Sequence, residues 1–192
     1  RDNKFTPFGV FISKQLYIKM KPFVLVSLLA LFAWTTVYAA APEKKIKWYT
    51  LEEAMKAAEK TPKPILIDMY TDWCGWCKKL DADTFSHDGI AKYINSNFYP
   101  VKFNAEQKEA VTFLGKEYKP NGERTHPLAM TLTGGRLSYP MLLYMKADGT
   151  LITAVPGYST PQQLEPILHF IATNAYEKQQ WEEFSKSFKS EF

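Results

Sequence analysis

The stretch Pro64-Ile-Leu-Ile-Asp-Met-Tyr-Thr-Asp-Trp-Cys-Gly-Trp-Cys77 constrains the fold more than any other. Residues 64–70 are nearly continuous in apolar side chains. A strand with one wet face would alternate apolar and polar residues, so this run reads as a central strand covered on both faces. Four residues later come both cysteines of the chain, Cys74 and Cys77, followed by the helix-forming "CKKLDADTF". A doubly covered strand turning straight into a helix needs neighbouring strands beside it and helices on both sides.

The rest of the chain supplies them. Ile46-Lys47-Trp48 reads as a short first strand. Thr50 before "LEEAMKAAEK", with Glu53 three residues on, is a capping-box helix start. Leu51, Ala54, Met55 and Ala58 recur at helical spacing, and the helix ends at Lys60 before "TPKP". "GIAKYINSNF" reads as a helix, "FYPVKFNAE" (98–106) as a second central strand, and "EAVTFLGKEY" as a further helix. Residues 119–137 are rich in turn formers around one apolar patch at 128–132. "YPMLLYMKADGTLITAVPG" reads as a hairpin about Asp148-Gly149. "STPQQLEPILHFIATNAYEKQQWEEF" is expected to form one long closing helix, with Ser159 or Thr160 as N-cap and Pro161 in its first turn. Successive βαβ units ending in a hairpin and a helix give an α/β sandwich with a mixed sheet.

Charge narrows the function classes. Of 24 Lys/Arg and 20 Asp/Glu, five basic residues (Arg1, Lys4, Lys14, Lys19, Lys21) and one acid (Asp2) fall within residues 1–39. The remainder is neutral, with 19 of each, and lacks the basic excess of a nucleic-acid binder. "MKPFVLVSLLALFAWTTVYAAAPEKK" begins at Met20 with cationic Lys21, runs apolar from Phe23 to Trp34 and closes on small residues, the layout of a secretory signal peptide. Its apolar run falls short of the roughly 20 residues needed to span a bilayer. Residues 20–39 are therefore read as a leader, with an uncleaved membrane anchor as the alternative. Residues 1–19 read as a doubtful upstream extension, and 40–192 as one exported, periplasmic domain.

Three readings of the cysteine pair are open: a staple, half of a metal site, or a redox centre. A structural zinc site wants about four ligands, and His87, His126 and His169 are scattered. A disulfide closing so short a loop removes little unfolded-state entropy. CxxC at a strand-to-helix junction favours redox chemistry. If the helix begins at the motif, unsatisfied N–H groups and the dipole favour a Cys74 thiolate. Its pKa would fall from about 8.5 toward about 7 or below. Cys77, one turn later, is expected to be more buried and protonated until needed. Gly75 permits the tight turn, and Trp73 and Trp76 offer a flat apolar mouth for an extended chain, unless they are ordinary aromatics of surface or core.

Through "ILIDMYTDWCGWCKK" the chain resembles the thioredoxin superfamily over about residues 46–174. "THPLAMTLTGGRLSYP" is similar to exported thioredoxin-like proteins related to the C-terminal domain of the periplasmic thiol-reductant transporter. The resemblance implies a thioredoxin fold: a mixed central sheet flanked by helices, an insert before the cis-Pro strand, and a C-terminal helical extension (175–192). It implies that Asp68 lies buried near the cysteines as proton acceptor for Cys77, with Lys102 as its partner. A carboxylate whose pKa is raised by burial suits that task. Tyr139-Pro140 matches the family's cis-proline turn, where backbone is offered to a substrate peptide by strand addition, and Gly157 the glycine that keeps the groove open. Gly-Trp stands between the cysteines where thioredoxin has Gly-Pro, which leaves the direction of electron flow open. His126, in the insert, either tunes Cys74 or caps a loop.

The expectation is an exported thiol:disulfide oxidoreductase that reduces protein disulfides. A disulfide oxidase or isomerase, a metal carrier and a redox-tethered binding protein are the alternatives. Cys74, Cys77, Asp68 and Lys102 form the catalytic set; Trp73, Gly75, Trp76, Tyr139 and Pro140 form the substrate-binding set. No metal and no cofactor beyond the redox-active pair is expected. The expected partners are disulfide-containing proteins and a membrane-embedded thiol electron donor, with no nucleic acid. Trp181, Phe184, Phe188 and Phe192 recur on one helical face, which either packs on the domain or serves self-association or another partner.

Overall fold

A computed structural model describes residues 45–191. The upstream extension, the leader and Phe192 of the aromatic stripe lie outside the described residues. Among the described residues, no helix is long and apolar enough to cross a membrane.

The central sheet has the order β2-β1-β5-β6, built from β1 (Ile65–Tyr70), β2 (Tyr99–Asn104), β5 (Met141–Met145) and β6 (Leu151–Pro156). β1 pairs parallel with β2 and antiparallel with β5, and β5 pairs antiparallel with β6. The doubly covered strand is central, as its composition requires. Alternation along β1 feeds two separate cores. Ile65, Ile67 and Met69 face α1 (Leu51–Lys60), Val101, Phe103, and α4 (Pro127–Thr133) with its Leu128 and Leu132. Leu66 faces the opposite layer of Leu80, Phe85, α3 (Asp88–Asn97) and α5 (Pro161–Ala172). Burying each such aliphatic side chain contributes about 1.5–3 kcal/mol.

The helix starts follow their caps. Thr50 Oγ1 accepts from Glu53 N at 3.2 Å, and Glu53 Oε2 accepts from Thr50 N at 2.9 Å. Thr160 and Gln163 repeat this box at α5, and Pro161 occupies its first turn. After the cysteines, α2 (Gly75–Lys79) passes into a π-helical segment, Leu80–Phe85, in place of the continuous α-helix expected.

Three local expectations are corrected, and one apolar patch left without an assigned element proves to be a helix. Ile46–Trp48 forms no strand; Tyr49 alone makes a parallel bridge to Val101. "EAVTFLGKEY" is a hairpin of β3 (Val111–Phe113) and β4 (Lys116–Tyr118), turned by Leu114 and Gly115 at φ of 49° and 75°. Two positive φ values in a two-residue loop match the twist of paired strands. The 128–132 patch is α4, with Pro127 at its start and left-handed Gly134 at its end. The closing helix stops at Thr173 because Asn174 turns left-handed (φ 53°); a 3₁₀ turn, Ala175–Glu177, and α6 (Trp181–Ser187) follow.

The C-terminal aromatics pack on the domain itself. Phe170 of α5 meets Trp181 and Phe184 at ring distances of 5.5 and 5.0 Å, and Phe188 lies 5.0 Å from the His169 ring. The tail then returns to buried Glu165, whose Oε2 accepts from Ser190 Oγ and whose Oε1 accepts from Glu191 N, both at 2.6 Å.

The turn of the β5–β6 hairpin is crowded. Gly149 has φ +86°, and a Cβ there would sit 3.0 Å from Leu114 and 3.3 Å from Met55 and Phe113. Gly149→Ala is therefore expected to destabilise the protein by about 1–3 kcal/mol through backbone strain and the clash with the β3–β4 turn. Urea unfolding midpoints of the two proteins measure it, and an unchanged midpoint refutes it.

Candidate active site

The cysteines sit where the sequence places them, at the exit of β1. Cys74 is the N-cap of α2 in extended backbone conformation, and its Sγ accepts from Cys77 N at 3.0 Å. The backbone of Cys74 is itself tied back, N to Thr71 O at 3.1 Å. Cys74 and Cys77 form a disulfide with a Cα–Cα distance of 5.3 Å. The expected contrast in burial is absent in this oxidised form: Cys74 is 4% exposed and Cys77 3%. Cys74 is thus almost as buried as Cys77, while Trp73 and Trp76 on either side of it in sequence are 58% and 59% exposed.

Asp68 lies on β1 with no solvent exposure, on the same face as Leu66. Parallel register sets Lys102 of β2 directly beside it. Lys102 Nζ lies 2.5 Å from Asp68 Oδ2 and 2.5 Å from Asp81 Oδ1, which the π-helical segment brings over. Trp48, Tyr70 and Phe85 surround the ammonium at 5.1, 4.9 and 5.6 Å from their ring centres. Desolvation pushes the Asp68 carboxyl up to about 6, against the lowering pull of Lys102. Its second oxygen, Oδ1, has no hydrogen-bond partner among the described residues. Asp81 escaped sequence reasoning, since a lone acid one turn past Cys77 carries no mark of its own.

The mouth is assembled from separate segments. Trp73 meets Tyr139 edge-to-face at 6.0 Å, which brings the Tyr139-Pro140 turn beside the cysteine motif. That peptide bond is cis, as the family resemblance implied. Gly157 (φ 92°) donates its N–H to Pro140 O at 2.7 Å, and nothing lies within 4 Å of where its Cβ would be. Trp76 contacts Tyr158 at 5.6 Å, and the Tyr158 hydroxyl donates to Asp83. Trp73 Nε1 donates to Glu106 Oε1 at 3.0 Å, and the Arg124 guanidinium lies 5.1 Å from the Trp73 ring centre. Sequence reasoning missed Glu106, Arg124 and Tyr158, which stand in turn-rich segments without a motif.

His126 is the N-cap of α4, buried, with Nδ1 accepting from Leu128 N at 3.2 Å and Nε2 facing Glu109 O at 3.1 Å. Desolvation holds its pKa below the ordinary histidine value. Of its two expected roles, capping is the one observed. No group of three or more His, Cys, Asp or Glu converges as a metal site among the described residues.

Residues 51–172 match the family model described as a thioredoxin-like domain. The chain belongs to that family. It is similar to the thiol:disulfide interchange protein DsbD of Pectobacterium atrosepticum, 24% identical over 111 residues, 57% of this chain and 16% of that protein. This thioredoxin-like chain also superposes on a thioredoxin from Thermus thermophilus with a TM-score of 0.51 at 12% identity, over 71% of this chain and 98% of that one. The C-terminal domain of DsbD from Neisseria meningitidis gives 0.43 at 19% identity, over 65% and 93%. The chain spans less than a fifth of the length of the curated relatives it matches. The Cys74–Cys77 disulfide lies within the matched thioredoxin-like domain.

Burial of Asp68 has a signed consequence for stability. Its folded pKa stands above the ordinary carboxylate value of 3.8, so its contribution is full below about pH 4 and is lost as pH rises through about 6. Asp68→Asn removes that loss. The variant's advantage over the wild type should grow by about 3 kcal/mol between pH 4 and pH 8. Urea unfolding of the oxidised proteins across that range checks it, and a pH-independent difference would contradict it.

Proposed function

We propose that this chain is an exported thiol:disulfide oxidoreductase working in the reducing direction on protein disulfides. The observation that carries the reading is one arrangement. A disulfide caps a helix at the exit of β1, while the same strand holds a fully buried carboxylate with an unpartnered oxygen. Export rests on the signal-like layout of residues 20–39.

In the reduced protein, the Cys74 thiolate is stabilised by the N–H groups of the helix start, as its sulfur already accepts from Cys77 N. It attacks one sulfur of a substrate disulfide. A Cys74–substrate disulfide forms, the substrate S–S bond breaks, and the departing sulfur leaves as thiolate and takes a proton from water. Cys77 then yields its proton to Asp68 and attacks Cys74 Sγ. The mixed disulfide breaks, Cys74–Cys77 closes, and the substrate's second sulfur leaves as thiolate. Two electrons have passed from the dithiol to the substrate. Asp68, raised to about 6, is deprotonated at neutral pH and basic enough to accept that proton. Lys102 and Asp81 hold it in place, and Trp73, Trp76 and the Tyr139-Pro140 turn dock the substrate backbone.

No bound cofactor enters this cycle. A thiol donor reduces Cys74–Cys77 again by the same exchange run on this protein's disulfide, and an exported protein needs that donor at the membrane. Similarity to a thiol:disulfide interchange protein supports such a partner.

Two measurements test the proposal. The reduction potential should lie near that of thioredoxin, about −270 mV, whereas a value near −120 mV would assign oxidation. Insulin reduction in dithiothreitol should fall at least about 100-fold in Cys74→Ser. Cys77→Ser should instead accumulate a mixed disulfide with its substrate. A Cys74→Ser protein with an unchanged rate would defeat the enzyme reading.

A further inference from the structure

We propose that Arg124, in the insert before α4, is a specificity-determining residue that favours substrate segments carrying a carboxylate side chain beside the reacting disulfide. The proposal rests on the disulfide exchange argued above and extends it to substrate choice.

The argument begins with Trp73, the residue just before the first cysteine. More than half exposed, it is nonetheless held on three sides. Its indole N–H donates to Glu106 Oε1, the Arg124 guanidinium stacks over its ring, and Tyr139 of the cis-proline turn meets it edge-to-face. Glu106 is fixed in turn, its N–H donating to Asn104 Oδ1 at 2.9 Å, while Asn104 Nδ2 donates to Asp72 at 3.2 Å. An exposed tryptophan immobilised in this way is a preorganised platform, which costs a bound chain little ordering.

Arg124 is the outward charge on that platform. Nε forms an ion pair with the same Glu106 Oε1 at 2.6 Å, and the side chain stays 69% exposed against 21% for Glu106. Glu106 therefore tethers the guanidinium by one edge. Of its five N–H donors, the four on the terminal nitrogens have no partner among the described residues. They form the planar fork that matches a carboxylate in a bidentate pair. A substrate backbone laid along the Tyr139-Pro140 turn passes Trp73, so a side chain close to its disulfide comes within reach of this fork.

The other charged and titratable groups at this end are Glu106 and Asp72 from the strand exits, Glu123 beside Arg124, and the Tyr139 hydroxyl. Burial and Glu106 raise the Tyr139 pKa, so the phenol is neutral at working pH. The acids limit the net attraction. An exposed pair of this kind contributes up to about 1 kcal/mol, which corresponds to a preference of up to roughly 5-fold.

The experiment uses three short peptides, each with one cysteine in disulfide linkage to a fluorescent thiol, identical except for Glu, Gln or Lys next to the cysteine. With the full chain kept reduced, kcat/KM is expected to rank Glu above Gln above Lys, about 2–5-fold per step, through KM with kcat unchanged. Arg124→Gln should level the series, Arg124→Glu should invert it, and 0.5 M salt should compress it in the wild type. The readout is a ratio within the series, which a change in the folded fraction cannot move. Equal turnover of all three peptides by the wild type overturns this proposal alone, as does the same ranking in Arg124→Gln. Absence of turnover with every peptide overturns the exchange reading and this proposal with it.

Discussion

Asp68 lies fully buried in the central strand β1, with Leu142 of β5 beside it on one side. Leaving a carboxylate there alone would be costly, because an isolated charge loses its hydration and gains nothing. Register supplies the answer. Parallel pairing sets Lys102 opposite Asp68, and the ammonium reaches one oxygen while lying 4.9–5.6 Å from three aromatic ring centres. Shifting β2 by a single residue would turn Lys102 to the other face and strand the acid. The same pairing that closes the sheet thus also sets a cation against this buried acid.

Everything at the mouth hangs from the ends of these strands. β1 runs into the cysteine turn, β2 into Asn104 and Glu106, β5 begins one residue after the cis peptide bond, and β6 ends beside Gly157. Rigid strands position the loops, and the loops carry the chemistry. The Gly157 N–H bond to Pro140 O ties the last of these exits to the cis-proline turn.

Sequence reading worked where a residue type has one physical use. Thr50 with Glu53 marked a helix start, Asp148-Gly149 marked a hairpin, and the unbroken apolar run marked a central strand. It failed where two periods overlap. Val111, Phe113, Leu114 and Tyr118 satisfy a helical spacing, yet the β-branched alternation of Val-Thr-Phe before a glycine turn held the truer signal. Leucine in a left-handed conformation is disfavoured, so Leu114 hid the turn. Asn174 hid a second break, since asparagine tolerates that conformation while fitting a helix in composition. The cysteine pair was legible from its spacing, and the burial of Asp68 from the family resemblance together with its place in an apolar run. Asp81, Glu106 and Arg124 were not, because only tertiary folding brings them to the site.

The return of the tail to α5 bears on how the molecule can be handled. Glu165 is buried within a helix, and among the described residues its two oxygens take their hydrogen bonds from Ser190 and Glu191. Peeling those last residues away would strip both of these hydrogen bonds from the Glu165 carboxyl. A purification handle fused just beyond them would pull on that latch, and any loss of thermal resistance it caused would report on a strapped-down tail, far in sequence from the dithiol.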